Sequence, residues 1–125
     1  MIISDEVRNA LLNAGAALVN GGDIQFLEGP TARLTFALKP VAFAPAAAGT
    51  AALDVASPAM SATAASSAVV AIDNYQIRTS TGAVRMSGDV GAIGSGAEFE
   101  MNHPDVEVGD VATITSYVLT MPAGS

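Results

Sequence analysis

The chain has no cysteine and no tryptophan, a single histidine, and only five basic residues against twelve acidic ones. Each shortage removes a class of function. Without cysteine there are no disulfides, thiolate metal sites or cysteine nucleophiles. Only His103 could serve a Ser-His-Asp arrangement, and it stands beside Pro104 in a turn-like Asn102-His-Pro-Asp105 stretch with no recognisable nucleophile or orienting partner. That setting reads as a surface turn. A net charge of −7, with the one lysine at 39 and arginines dispersed at 8, 33, 78 and 85, argues against nucleic acid, because phosphate binding needs clustered cations. An acidic surface also keeps a protein off nucleic acid and anionic membranes.

Long apolar runs are missing too. No stretch of about 18 residues goes without polar interruption, since the alanine-rich middle is broken by Gly49, Asp54, Pro58 and several serines. Met-Ile-Ile-Ser-Asp-Glu at the N-terminus carries acids where a secretory signal needs positive charge. The expectation is a non-secreted protein without membrane segments. Aromatics make up 5% of the chain although 50% of it is hydrophobic, so much of the apolar content is alanine, which contributes little area to a core. With 125 residues, one domain over 1–125 and one modest core are expected, stabilised by neighbours in an oligomer or a larger assembly.

Among what is present, the N-terminal segment predicts a helix over about 4–20. Ser4 can cap it, Asp5 and Glu6 suit its positive end, and Gly21-Gly22 ends it. Val7, Leu11, Ala14 and Leu18 recur at helical spacing as an apolar stripe, widened by Leu12 and Val19, which either packs on the domain's own sheet or serves as a docking element. Residues 23–121 read as β-rich. Asp23 to Glu28 is a short strand, Gly29-Pro30 a turn, and Leu34, Phe36 and Leu38 alternate with polar residues up to Pro40. From about 40 to 67 the chain is rich in Ala, Ser, Thr, Gly and Pro. It reads either as a linker or as irregular strands pinned by Val41, Phe43, Leu53, Val55 and Met60, and its near lack of charge favours order.

Residues 74–91 carry the clearest pattern, a hairpin with alternation on both sides of Thr79 to Gly82. If those four residues form the connection, Arg78 faces Ala83, Ile77 faces Val84 and Tyr75 faces Met86. Gly91 to Gly96 follows as a loop, Ala97 to Met101 as a strand, Gly109-Asp110 as a turn, and Val111 to Met121 as one strand covered on both faces, before a short tail from Pro122.

Two further groups bear on chemistry. Glu98, Glu100, Asp105, Glu107 and Asp110 are the possible metal ligands, with Glu98 and Glu100 on one strand face and Glu107 reaching across the turn, but they lack the spacing of a calcium loop and read as a solvated face guarding a sheet edge. Gly88 to Gly94 has phosphate-loop-like glycine spacing, yet no lysine and no helix pattern follow, so its glycines read as a loop between strands. No catalytic, cofactor-binding or metal-binding residue is assigned.

Three stretches carry a family resemblance: Ile3 to Ala14, continuing to Leu34-Thr-Phe-Ala-Leu and Phe43-Ala-Pro-Ala; Tyr75 to Gly91; and Val108 to Pro122. Together they resemble a set of small virion structural proteins of tailed phages and prophages of proteobacteria. The resemblance implies a β-rich fold and a particle context, and assigns no binding residue. The combined expectation is an α+β fold, one N-terminal helix with a mainly antiparallel β-sandwich of about six to eight strands. The expected role is a non-enzymatic capsid decoration or cement protein, made in the host cytoplasm and bound as a homo-oligomer, a trimer at local threefold axes, to the major capsid protein on the outer shell. A tail or neck component and a glycan-binding module of a tail fibre are the alternatives.

Overall fold

The computed structural model describes residues 2–55, 60–64, 70–101, 105–114 and 116–121. The fold is α+β and rich in antiparallel pairing, with one helix and eleven short strands among these residues. The strand number exceeds the six to eight expected, because segments that look continuous in sequence are broken. Where one strand from Val111 to Met121 was expected, the described residues form two short ones, Val111–Ile114 and Val118–Thr120. Val111 and Val118 are exposed, so this segment is not covered on both faces.

Helix α1 spans Asp5–Ala17, with the Ser4 hydroxyl accepting from the Val7 amide at 3.4 Å and Asp5 and Glu6 in the first turn. Turn geometry takes over at Leu18, and Gly21 at φ +71° redirects the chain. The stripe divides between the two uses open to it. Leu12, Ala16 and Val19 enter the core, whereas Val7, Leu11, Ala14 and Leu18 face outward. Periodicity fits both rows. A third row decides between them: Asn9, Asn13 and Asn20 accept from the backbone amides of Gly49 (2.9 Å), Ala46 (2.8 Å) and Ala42 (3.0 Å). These bonds roll the helix so that its asparagine side meets the 42–49 loop.

That loop belongs to the alanine-rich middle. Its described parts are ordered, with bridges Phe43 to Leu53 and Ala47 to Thr50, a tight turn through Ala48 and Gly49, and buried Phe43, Leu53 and Met60. Val55 is partly buried, and Val41 is exposed rather than an anchor. The remaining stretches, 56–59 and 65–69, lie outside the described residues. Gly49 sits at φ +77° against the Arg8 guanidinium, whose Nε donates to the Met121 carbonyl at 2.7 Å. One helix therefore holds both the middle segment and the C-terminal end of the fold.

The largest sheet has five strands. Numbered in chain order, β1 (Asp23–Glu28), β2 (Thr31–Ala37), β6 (Asn74–Arg78), β7 (Val84–Ala92) and β8 (Phe99–Met101) lie in the order β2-β1-β6-β7-β8. Ile24 faces Phe36 and Ile77, and Phe26 faces Leu34 and Tyr75, so alternate residues of three strands share the buried face. Asp23 opposite Arg78 makes a bidentate pair at 2.6 and 2.7 Å at the end of this row. β7 and β8 are parallel. The remaining strands form three antiparallel pairs: β3 (Thr50–Ala52) with β11 (Val118–Thr120), β4 (Met60–Thr63) with β10 (Val111–Ile114), and β5 (Val70–Ala71) with β9 (Asp105–Val106).

The hairpin of β6 and β7 is present, but its register corrects the expected one. Arg78 faces Val84, Ile77 faces Met86 and Tyr75 faces Gly88. Thr79 is the cause. Its amide donates to the Ala83 carbonyl at 2.9 Å and its hydroxyl accepts from the Ala83 amide at 3.2 Å, closing the turn on Thr79 and Ala83 with Gly82 at φ +90°. An irregularity beside Arg78 then leaves Arg85 without a partner and shifts the far end further. Val84, expected inward, is exposed in consequence.

Gly91, expected in a loop, belongs to β7 itself, as does Gly88 within the hairpin. A Cβ on Gly88 would run into the Tyr75 ring and the Glu98 carboxylate, and one on Gly91 into Ser95. Gly94 and Gly96 make the loop, with φ +88° and +84°.

All six aromatic residues of the chain are buried. Their rings form one continuous series: Phe36 touches Phe26 (4.9 Å between centroids), Phe26 touches Phe99 (5.1 Å), and Phe99 stacks on Tyr117 at 4.5 Å and meets Tyr75 edge-on at 4.7 Å. Phe43 joins through Tyr117. This spine ties the large sheet to the segments around β3 and β11, and a single core cluster runs from Leu12 to Tyr117. No described helix is long and apolar enough to cross a membrane.

Candidate functional site

A cleft of about 830 Å³ lies beside β8, β9 and β10. Glu98, Glu100, Asp105 and Asp110 line it above apolar residues that include Phe26, Phe99, Val106 and Ile114. Four of the five acids singled out from the sequence thus meet in one place. Glu107 does not line the cleft, and its backbone amide donates to the Asp110 carboxylate at 3.0 Å, closing the turn through Gly109. The Glu100 carboxylate is likewise engaged locally, accepting from the Gly96 amide at 3.0 Å.

Among the described residues no three acidic or histidine side chains converge as a metal site would require. The carboxylates are spread along the cleft: those of Glu100 and Asp110 accept from the amides of Gly96 and Glu107, and that of Glu98 lies against Tyr75. His103 lies outside the described residues. The glycines of the 88–94 stretch are accounted for by close packing and by turn geometry, and no helix follows them among the described residues.

Behind one wall of the cleft is a polar contact that spacing did not reveal. The Tyr75 and Tyr117 hydroxyls are 2.8 Å apart within the aromatic spine, close to Glu98. Burial, reinforced for Tyr75 by the Tyr117 hydroxyl and the Glu98 carboxylate, raises the pKa of Tyr75 far above the ordinary phenol value. Burial and Glu98 raise Tyr117 as well, against a lowering contribution from Tyr75. Both phenols stay protonated at neutral pH, and their hydrogen bond joins β6 to the segment that leads into β11. Forty-two positions separate the two residues, and only the Gly88 opposite Tyr75 hints that this ring needs space.

The outer surface carries the other candidate features. Val7, Leu11 and Leu18 stand out along α1, Val111 and Val118 on the short strands β10 and β11, and Val41, Ile93 and Val108 on loops and turns. Apolar side chains thus reach solvent on several elements rather than in one pocket. Comparison with protein-family models, with curated proteins and with solved structures finds no match to the chain.

Proposed function

We propose that this chain is a non-catalytic structural component of a tailed-phage virion, a decoration or cement protein bound to the outer capsid surface and bridging neighbouring major capsid subunits. The observation that carries the reading is the spread of exposed large apolar residues over the helix, the edge strands and the loops, in a domain whose core is diluted with alanine. Such a protein gains from being covered on several sides at once. The resemblance of the Ile3–Ala14, Tyr75–Gly91 and Val108–Pro122 stretches to small virion proteins supplies the particle context.

In this role each contact is modest. One molecule spanning two or three capsomers resists their separation because, once one contact is made, the second forms at high effective concentration. Self-association into trimers at local threefold positions multiplies the contacts in the same way. The net charge of −7 keeps the protein from adhering to the packaged nucleic acid or to membranes while the particle assembles in the host cytoplasm.

A sugar-binding role on a tail fibre is disfavoured because every aromatic residue is buried, leaving no ring on the surface for a sugar to stack against. Copy number per particle, measured by quantitative mass spectrometry of purified virions, tests the reading. Hundreds of copies are expected. A few copies to a few dozen would move the protein to the tail or neck.

A further inference from the structure

The outward row of α1 differs from the other exposed apolar residues because it is regular. Val7, Leu11, Ala14 and Leu18 follow one another at intervals of four, three and four, the spacing of a heptad seam. Val7, Leu11 and Leu18 are 48, 50 and 59% exposed, while the separate row of Leu12, Ala16 and Val19 enters the core. A shallow groove of about 340 Å³ lies on the other side of the helix, where Asn13 and Asn20 meet the loop that carries Phe43 and Pro45, and no seam residue lines it. The helix is thus apolar on two sides and covered on one.

We propose that this row is a contact between copies of the chain, α1 of one molecule packing Val7, Leu11, Ala14 and Leu18 against the same row of another. Charge points to a second copy as the occupant. From Asn9 to Gly22 the sequence contains no charged residue, although the chain carries −7 overall. Two like-charged copies meet with least repulsion at this face, whereas a basic partner is drawn to the carboxylates elsewhere. Spacing points the same way. A heptad row packs knobs into holes only against a helix of the same period, and α1 is the one helix among the described residues.

Size sets the strength. A helix of 13 residues is about 20 Å long, and one face of it falls well short of the roughly 800 Å² per partner of a standard interface. Association in free solution is therefore weak and concentration-dependent, and strengthens where copies are held side by side. The inference goes beyond the particle role proposed above and does not rest on it. A chain that pairs through α1 without residing on a capsid keeps the seam and loses only the particle reading.

Sedimentation equilibrium of the full chain between about 10 μM and about 1 mM tests the seam. The average mass of the wild type should rise from one chain toward two or three. The double variant Leu11→Glu with Leu18→Glu should stay at one chain across the range with its helical circular dichroism retained, and Val111→Glu with Val118→Glu should associate as the wild type does. A gain-of-contact variant, Ala14→Leu, should tighten association about threefold or more. A wild type that remains a single chain at every concentration overturns the proposal. So does association that survives the Leu11 and Leu18 changes, that is lost equally in the Val111 and Val118 control, or that ignores Ala14→Leu.

Discussion

The Tyr75 and Tyr117 hydroxyls lie 2.8 Å apart, joining a central strand of the five-stranded sheet to the segment that leads into β11. Because both phenols are buried and their pKa values are raised, the folded protein holds their protons more tightly than the unfolded chain does. Below the unfolded phenol value of about 10 both states are protonated and the clasp is intact. As pH rises past about 10 the unfolded chain releases protons that the folded state keeps, and stability falls.

Urea unfolding between neutral pH and pH 11 should show that alkaline loss. In Tyr75→Phe with Tyr117→Phe the loss should be much shallower, at a cost of about 1 kcal/mol at neutral pH for the missing hydrogen bond. An unchanged alkaline slope would show that these phenols do not titrate with unfolding.

Two glycines should respond in opposite directions to alanine. Gly88 faces Tyr75 across the hairpin and has no room for a methyl group, so Gly88→Ala should destabilise by about 1–3 kcal/mol. Gly15, within α1, has open space at its Cβ position, and Gly15→Ala should stabilise by about 0.5–1 kcal/mol. Chemical denaturation of the two variants against the wild type reads both signs.

The asparagine row of α1 makes a local prediction. Asn9→Ala and Asn13→Ala each remove the acceptor for one loop amide and should cost about 1 kcal/mol. Hydrogen exchange should quicken at the amide of Gly49 in the first variant and of Ala46 in the second, since these are the amides bonded to the lost side chains. Equal exchange in variant and wild type would show that the loop is held by other contacts.

How far the sequence could be read depended on whether a feature was local. The Ser4 cap, the β1–β2 hairpin with its Gly29-Pro30 turn, and the alternation of Leu34 and Phe36 were legible because neighbouring residues determine them. The β6–β7 register was not. Alternation allows several offsets, and the selection was made by the Thr79 hydroxyl and by the need of the Tyr75 ring for a glycine opposite it. Which side of α1 packs inward was not legible for a related reason. Two apolar rows compete on that helix, and the asparagines that decide between them act through loop residues more than twenty positions away. For the acidic group, composition identified the residues, but that Glu98, Glu100, Asp105 and Asp110 share a cleft while Glu107 stands apart depends on the placement of β8, β9 and β10.

Removing a cement protein should weaken the shell more than its assembly. Particles lacking this chain should assemble in normal numbers yet release their nucleic acid at a lower temperature or under milder osmotic shock, and adding back the purified protein should restore resistance. Particles that fail to assemble at all would indicate a scaffold or tail role.

The most direct test of the particle role is cryo-microscopy of the virion that carries the protein. Density for this fold is expected on the outer capsid surface, with each copy touching at least two major capsid subunits. Density confined to the tail or neck, or none on the particle, would contradict it.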